Sequence, residues 1–267
     1  MDRDVPPLDE AALRAEAIDA GWRRLDVVAQ TGSTNADLLA RAASGIDVGG
    51  AVLIAEHQTA GRGRHGRAWS ATPRAQITMS VGVSLTDPVD IPTHTWGWLS
   101  LATGVAVVDA VSPLIKGAKL GLKWPNDVLV DGGKLAGILA EVARPAIVIG
   151  LGLNVTQAPE AVAGATSLLQ LGVAAPDRQS LVGGLLRELG RRIGAWRTAR
   201  GADPQLTADY RARSLTIGSR VRAQLPGGEE VVGTATGIDD QGRLRLRTDD
   251  DAVTETVISA GDVVHLR

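Results

Sequence analysis

Residues 57–69, which read HQTAGRGRHGRAW, concentrate the side chains of this chain that are best suited to bind an anion. Arg62, Arg64 and Arg67 alternate with glycines in this short segment. Arginine binds carboxylates and phosphates through a planar fork of N–H donors, and glycine lets a backbone approach a ligand closely. The segment therefore predicts an anion site, for which a nucleic acid, a dinucleotide and one small nucleotide are the candidate ligands.

The letters GRGRHG also match the G-x-G-x-x-G pattern of dinucleotide-binding loops. That loop requires a helix to begin at its last glycine, whereas Pro73 interrupts the segment here and no apolar helical face follows. A P-loop is disfavoured because no Gly-Lys-Ser/Thr closes the pattern. Two interpretations remain, a solvated flexible loop and a lid whose glycines are hinges and whose arginines close over the phosphate of a nucleotide.

Three other segments place polar residues beside apolar runs. They are TGSTN with Ser33, Thr34 and Asn35, KWPNDVLVDGGKLAGIL with Lys123, Asn126, Asp127 and Lys134, and GLGLNV with Asn154. Polar side chains at the ends of buried strands are candidates for ligand binding, because burial of a polar group without a partner is unfavourable.

Hydrophobic periodicity and turn residues predict the elements that position these segments. Thr34 and Asp37 have the spacing of a capping box, and Gly45 is the predicted C-cap of the same helix. Asp131, Gly132 and Gly133 predict the turn of a hairpin made of two strands. The predicted helices lie within 8–21, 31–45, 96–115, 179–197 and 204–212, and the predicted strands lie within 24–30, 50–57, 75–85, 120–143 and 146–155.

The sequence changes character after Ser214, where short strand-like runs alternate with turns such as Pro-Gly-Gly. This alternation is typical of a small β-barrel. We therefore predict an α+β domain over residues 1–213 and a small all-β domain over residues 214–267.

Composition excludes several classes of protein. The chain has 267 residues, a net charge of −2 and no cysteine, so disulfides, thiolate metal sites and a cysteine nucleophile are excluded, and a general electrostatic affinity for DNA is not expected. The four histidines are scattered, which does not indicate a zinc site. The acidic N-terminus has no apolar core typical of a signal peptide, and we expect no apolar run able to span a bilayer. The expected location is the cytoplasm.

In order and spacing, the four polar segments resemble those of the bacterial biotin protein ligase (BirA) family over roughly residues 25–155. The resemblance implies a mixed β-sheet flanked by helices, the class II synthetase-like catalytic fold, followed by an SH3-like barrel. It also implies two reaction steps. Biotin and ATP give biotinyl-5′-AMP and pyrophosphate, and the biotinyl group then passes to one lysine of the biotin carboxyl carrier domain of an acyl-CoA carboxylase.

The same resemblance implies the roles of individual residues. Lys134 would neutralise the biotin carboxylate and the α-phosphate of ATP, and with Arg62 and Arg64 it forms the expected catalytic set. The expected biotin-binding residues are Ser33, Thr34, Asn35, Gln58, Gly61, Arg62, Gly63, Arg64, Lys134 and Gly137. The expected ATP and adenylate residues are Arg64, Arg67, Trp69, Lys123, Asn126, Asp127 and Asn154, of which Asn126 and Asn154 are the candidates near ATP-bound Mg²⁺.

Several features qualify the resemblance. Only about 24 residues precede the first strand of the family, too few for a helix-turn-helix domain and a linker, so we expect a ligase without repressor activity. His65 stands where an arginine is common. A lipoate ligase is the nearest alternative, because it also forms an acyl-adenylate, whereas octanoyltransferases of this group use a cysteine. A non-catalytic biotin- or nucleotide-binding protein is a further alternative, which an intact Lys134 disfavours. The oligomeric state stays open between a monomer and a weak, ligand-dependent homodimer.

Overall fold

The computed structural model describes residues 5–70, 72–86, 90–158, 163–249 and 255–266. The α-helices in these ranges are α1 Glu10–Asp19, α2 Thr34–Ala43, α3 Trp98–Val111, α4 Arg178–Thr198 and α5 Pro204–Arg213. The strands are β1 Arg24–Val28, β2 Ala51–Ala55, β3 Gly61–Arg62, β4 Ala68–Trp69, β5 Gln76–Ser84, β6 Leu120–Lys123, β7 Asp127–Val130, β8 Gly133–Ala143, β9 Ala146–Asn154, β10 Arg220–Gln224, β11 Glu230–Ile238, β12 Leu244–Thr248, β13 Glu255–Ile258 and β14 Asp262–His265.

Seven strands form one mixed sheet in the order β1-β2-β5-β9-β8-β7-β6, in which β1 and β2 are parallel and the other neighbours antiparallel. Successive side chains of a strand point to opposite faces of its sheet. In β9, Ile147, Ile149, Leu151 and Leu153 therefore enter the main core, whereas Gly150, Gly152 and Asn154 belong to the other face. This alternation reserves one face of the central strand for small and polar residues.

Helices α1, α3 and α4 pack together on the core face, and α2 packs against β2, β5, β8 and β9 on the other. The expectation that no apolar run could span a bilayer was wrong. Residues Thr93–Leu114 are long and apolar enough by length and composition, with a mean hydropathy of 1.4. In the fold, 61% of the most apolar stretch is buried, because α3 packs against α4, α5 and strands of the sheet. A helix that is apolar all round is suited to such a core position.

The predicted capping box at the start of α2 is also wrong. Ser33 is the N-cap, with extended backbone and a side chain that accepts from the N–H of Ala36. Thr34 is the first helical residue, and its hydroxyl contacts Gln58 and Ser80 instead. Asp37 accepts from the hydroxyl of Thr31. Tertiary partners thus decide which of two adjacent hydroxyl residues caps the helix.

Residues 120–143 form three strands where two were predicted. The turn at Asp131 and Gly132 lies where it was expected, and both residues have positive φ, as a tight hairpin turn requires. A second turn at Trp124–Asn126 separates β6 from β7. Pro125 lacks an N–H for strand pairing, which is why the strand stops there.

The last five strands form an antiparallel sheet in the order β13-β12-β11-β10-β14. This sheet is joined to the rest of the chain by buried tryptophans. Trp124 donates its indole N–H to the carbonyl of Gly242, and Trp98 donates to that of Asp240. The β6–β7 turn therefore lies between the two sheets.

Candidate active site

A cleft of about 180 Å³ lies on the face of the large sheet that carries Gly150 and Gly152. All four polar segments contribute residues to this cleft, although they are far apart in sequence. The segment GLGLNV contributes Gly150, Leu151 and Gly152, but not Asn154. The predicted residues that line the cleft are Ser33, Thr34, Asn35, Gln58, Arg62, Gly63, Arg64, Arg67, Trp69, Asn126, Lys134 and Gly137.

The other predicted residues lie around this cleft. Gly61 lines a separate cavity between its loop and Glu141 of β8. Lys123 and Asp127 line a neighbouring cavity of about 190 Å³ together with Asp262. Asn154 is buried below the site, where its amide group bonds to Gln76 and to the carbonyls of Lys134 and Thr166.

Glycines on the floor of the cleft leave room for the ring of Trp69. A β-carbon on Gly152 would lie 2.4 Å from the indole of Trp69, and one on Gly137 would lie 2.9 Å from it. The indole N–H of Trp69 donates to Gln76 at 2.9 Å, and Gln76 donates in turn to Asn154 at 2.9 Å. The two glycines and Gln76 therefore fix the position of the Trp69 ring.

Lys134 follows the β7–β8 turn, beside an irregularity in the pairing of these strands. Its Nζ atom lies 2.7 Å from the carboxylate of Asp127 and 5.5 Å from the centre of the Trp69 ring. Its backbone bonds to Gly164 and Thr166. A partly buried ammonium in this position can neutralise an anion in the cleft.

Residues 61–69 form what we call the arginine loop. Its ends pair as the short strands β3 and β4, and His65 and Gly66 have positive φ at its tip. Arg64 bonds to Asn126 at 3.1 Å and to the carbonyl of Gly261 at 3.1 Å. Burial lowers the pKa of the Arg64 guanidinium from its ordinary value, and Asp262 opposes this effect. Because an arginine stays charged in proteins, Arg64 is nevertheless a cation beside the cleft, and Asp262 compensates its burial.

Asp262, in the last strand, contacts two arginines of this loop. Its carboxylate lies 2.8 Å from Nη2 of Arg67 and 3.4 Å from Nη1 of Arg64. The C-terminal sheet therefore supplies a counter-charge to a loop of the catalytic cleft.

A chain of side chains that we call the buried polar row extends from the cleft under α2. It consists of Gln58, Thr34, Ser80 and Asn35, all of which are buried. The hydroxyls of Thr34 and Ser80 are 2.6 Å apart, and Ser80 donates to Oδ1 of Asn35 at 2.6 Å. The row ends at Glu141, which accepts from Asn35 at 2.8 Å and from Arg62 at 2.7 Å.

Sequence reasoning missed four of these residues. Gln76 and Ser80 alternate with apolar residues along β5, and polar residues at every second position of a buried strand could have revealed them. Glu141 directly follows the apolar run Leu135–Ala140 of β8, and Asp262 follows a glycine near the C-terminus. Neither acidic residue has a local signal, because their arginine partners lie 79 and 195 residues away in sequence.

Oxygen donors for a metal ion are few here. Among the described residues, no group of three or more His, Asp or Glu side chains could hold one. The amide oxygen of Asn126 accepts from Arg64, and that of Asn154 accepts from Gln76. The single carboxylate of Asp127 beside an amide oxygen suits Mg²⁺ that arrives with nucleotide phosphates better than a resident ion.

The chain matches two families of known proteins in consecutive regions. Residues 27–154 match the Biotin/lipoate A/B protein ligase family. Residues 216–266 match the Biotin protein ligase C terminal domain. The first match contains the arginine loop, Lys134 and the buried polar row, and the second contains Asp262.

A biotin–[acetyl-CoA-carboxylase] ligase of Mycobacterium tuberculosis is 68% identical over 271 residues, which cover 100% of this chain and 98% of that protein. The bifunctional ligase/repressor BirA of Bacillus subtilis is 35% identical over 75% of this chain, but the match covers only 62% of that protein. A solved biotin protein ligase from Aquifex aeolicus, in complex with biotin and ATP, has a TM-score of 0.77 over 92% of this chain and 100% of that chain. At 22% identity, this likeness shows a shared fold.

Proposed function

The chain belongs to the biotin protein ligase family, and we propose that it activates biotin with ATP and transfers the biotinyl group to a lysine of a carrier domain. The observation that carries this proposal is the single cleft that brings together the buried polar row, the arginine loop and Lys134. Such a cleft suits a ligand with a polar head at one end and an anion at the other.

The hydrogen bonds of the buried polar row support a ureido head as the ligand. Asn35 donates through Nδ2 to the carbonyl of Leu139 and to Glu141, so its Oδ1 faces Ser80. An amide oxygen only accepts, and Ser80 therefore donates its one hydroxyl proton to Asn35. The hydroxyl of Thr34 must then donate into the protein, because its contacts there are Ser80 Oγ at 2.6 Å and Gln58 Oε1 at 3.0 Å. Thr34 therefore offers lone pairs to a ligand.

Two neighbours of Thr34 complete the pattern. Oε1 of Gln58 accepts from the N–H of Thr34, which leaves the Nε2 group of Gln58 as a donor. Ser33 accepts from the N–H of Ala36, which leaves its hydroxyl proton to donate. A ureido group has N–H donors and one carbonyl acceptor, and this set of side chains complements both.

The first reaction step joins two anions. A carboxylate oxygen of biotin attacks the α-phosphorus of ATP, and the bond from that phosphorus to pyrophosphate breaks. Lys134 would stabilise the charge that develops on the phosphorus centre, with Arg62 and Arg64 as its partners on the loop. Asp127 holds the ammonium of Lys134 at 2.7 Å, which keeps it oriented before the substrates bind.

Other residues would hold the nucleotide. We assign phosphate contact to Arg64 and Arg67, adenine contact to Trp69, and the surroundings of the triphosphate to Lys123, Asn126, Asp127 and Asn154. Mg²⁺ bound to ATP supplies charge neutralisation for the pyrophosphate leaving group, and Asn126 and Asp127 are the residues that would face it. The closed arginine loop would keep water away from the mixed anhydride.

In the second step, the amine of the acceptor lysine attacks the acyl carbon, loses a proton, and AMP leaves. We propose the carrier domain of an acyl-CoA carboxylase as the acceptor and the cytoplasm as the location. The relative from Mycobacterium tuberculosis supports ligase activity without operator binding. The match covers 98% of that protein, and its name describes a ligase and no repressor. We also propose a catalytic part over 1–213 and a C-terminal part over 214–267, which the family match over 216–266 supports.

A mass-shift assay tests this function. The protein would be incubated with ATP, Mg²⁺, a carrier domain, and either biotin or lipoate. We expect the mass of the carrier domain to increase by one biotinyl group with biotin and to stay unchanged with lipoate. An increase with lipoate alone would assign the chain to the lipoate branch of the family. In that case the ureido assignment of the buried polar row would be wrong.

A further inference from the structure

One carboxylate, that of Glu141, joins the arginine loop to the buried polar row. Both of its oxygens lie within 2.9 Å of the same nitrogen of Arg62, at 2.9 and 2.7 Å. One of these oxygens also accepts from Asn35 at 2.8 Å. The side chain of Glu141 is 28% exposed, and it lies on the face of β8 that carries Gly137 and Leu139.

Asn35 makes this junction rigid. It is 3% exposed, and all of its amide atoms are used, since Nδ2 donates to Leu139 and Glu141 and Oδ1 accepts from Ser80. Its amide group packs against Gly150, and a β-carbon at position 150 would lie 2.4 Å from Oδ1 of Asn35. The end of the row to which Glu141 is bound therefore cannot turn without breaking several hydrogen bonds.

The charges of the loop separate its three arginines into two groups. Glu141 compensates Arg62 alone, whereas Arg64 and Arg67 share the carboxylate of Asp262. Excess positive charge therefore remains at Arg64 and Arg67. Arg62, at the start of the loop, lines the cleft and is anchored to the sheet by its ion pair with Glu141.

We propose that Glu141 is a positioning residue that anchors Arg62 to the buried polar row, so that the arginine loop is held over the cleft with Arg64 and Arg67 directed at the substrates. This inference rests on the proposed function for its effect on catalysis. The anchoring itself is a property of the free protein and can be tested without a substrate.

The test uses the full chain and its Glu141→Gln variant. Glutamine keeps the shape and an oxygen for Asn35 but removes the charge that binds Arg62. Without ligand, we expect trypsin to cleave the arginine loop about fivefold faster, because a partly exposed ion pair contributes roughly that factor to local opening. With substrates, we expect KM for biotin to rise about fivefold while kcat at saturation stays within about twofold.

Matched variants complete the test. Glu188→Gln removes a carboxylate that is 29% exposed and paired with Arg191 on α4, far from the cleft, and is expected to change neither measurement. Glu141→Asp keeps the charge and should restore part of the protection from trypsin. If Glu141 acts through Arg62, cleavage after Arg64 and Arg67, the sites that all variants keep, should be no faster in Glu141→Gln/Arg62→Gln than in Arg62→Gln alone.

Two results would overturn the inference. One is a loop in Glu141→Gln that is cleaved at the rate of the unaltered protein, and the other is additivity in the double variant. Calorimetry that measures biotin binding to the unaltered protein distinguishes a failure of the anchoring inference from a failure of the proposed function. Absence of biotin binding there would refute the function and leave the trypsin result as the test of the anchor.

Discussion

Asp262 in β14 lies 2.8 Å from Arg67 in the arginine loop, so the last strand of the chain supplies a counter-charge to the catalytic cleft. Gly261 places it there, because this residue has φ +146° and a β-carbon on it would lie 2.3 Å from the carbonyl of Gln224. The carbonyl of Gly261 also accepts from Arg64. The C-terminal sheet thus contributes to the geometry of the site as well as to the stability of the fold.

The first prediction concerns this contact. In Asp262→Asn, the mutual repulsion of Arg64 and Arg67 is no longer balanced, and we expect the free energy of loop opening to fall by about 1 kcal/mol. Amide hydrogen exchange within residues 61–69 should then be about fivefold faster. Asp249→Asn, which removes a partner of Arg220 within the same sheet, is the control and should leave exchange in the loop unchanged. Unchanged exchange in Asp262→Asn as well would mean that the contact does not hold the loop.

The second prediction concerns Lys134. Its ammonium is the group expected to stabilise the developing charge, so Lys134→Ala should reduce the rate of adenylate formation by at least about 100-fold. Pyrophosphate release measures this step. The thermal midpoint should change little, because the side chain is 33% exposed and lies outside the main core. Lys116→Ala, in an exposed connection, should retain full activity, and normal pyrophosphate release from Lys134→Ala would contradict the assigned role.

The third prediction concerns the floor of the cleft. In Gly152→Ala the new methyl group would lie 2.4 Å from Trp69, so the ring must leave its position between Gly152 and Gln76. We expect stronger quenching of tryptophan fluorescence by acrylamide and about a tenfold higher KM for ATP, which corresponds to roughly 1.4 kcal/mol of lost binding. Gly194→Ala in α4 meets open space and should increase stability slightly without affecting either measurement. Unaltered quenching in Gly152→Ala would show that the ring tolerates the methyl group.

The fourth prediction concerns pH. Burial lowers the pKa of His265 below its ordinary value of 6.5, and the charges of Lys123 and Lys119 lower it further. Nε2 of the imidazole also lies 3.0 Å from the hydroxyl of Thr216, which accepts from the backbone N–H of Trp124. The neutral form is therefore the one that the folded state favours.

Since the unfolded chain binds the proton more tightly, the contribution of His265 to stability is complete above pH 6.5 and is lost as the pH falls toward the lowered folded value. Thermal midpoints measured from about pH 8 to about pH 5 should decrease less in His265→Gln than in the unaltered protein. His94→Gln, at an exposed position, should reproduce the decrease of the unaltered protein. Parallel curves for all three proteins would exclude His265 as the titrating group.

Local features of the sequence were sufficient to predict most elements. The helices α1, α3, α4 and α5 and the β7–β8 turn lie where periodicity, glycine and proline indicated, because these signals depend on neighbours within a few residues. The lack of a helix after GRGRHG was also correctly inferred, since the loop returns as a short strand at Ala68 and Trp69. The residues proposed for the site could be identified because they lie in four short segments.

Only the tertiary structure decided how these residues are connected. Whether Ser33 or Thr34 caps α2 depends on Gln58, in the segment that follows β2, and on Ser80 of β5, both of which contact Thr34. Glu141 and Asp262 have no local feature that distinguishes them from other surface acids. They become part of the site because the sheet and the C-terminal strand bring each of them beside an arginine. A charge affects what lies within a few ångströms in space, whatever the separation in sequence, and that distance is set only when the chain has folded.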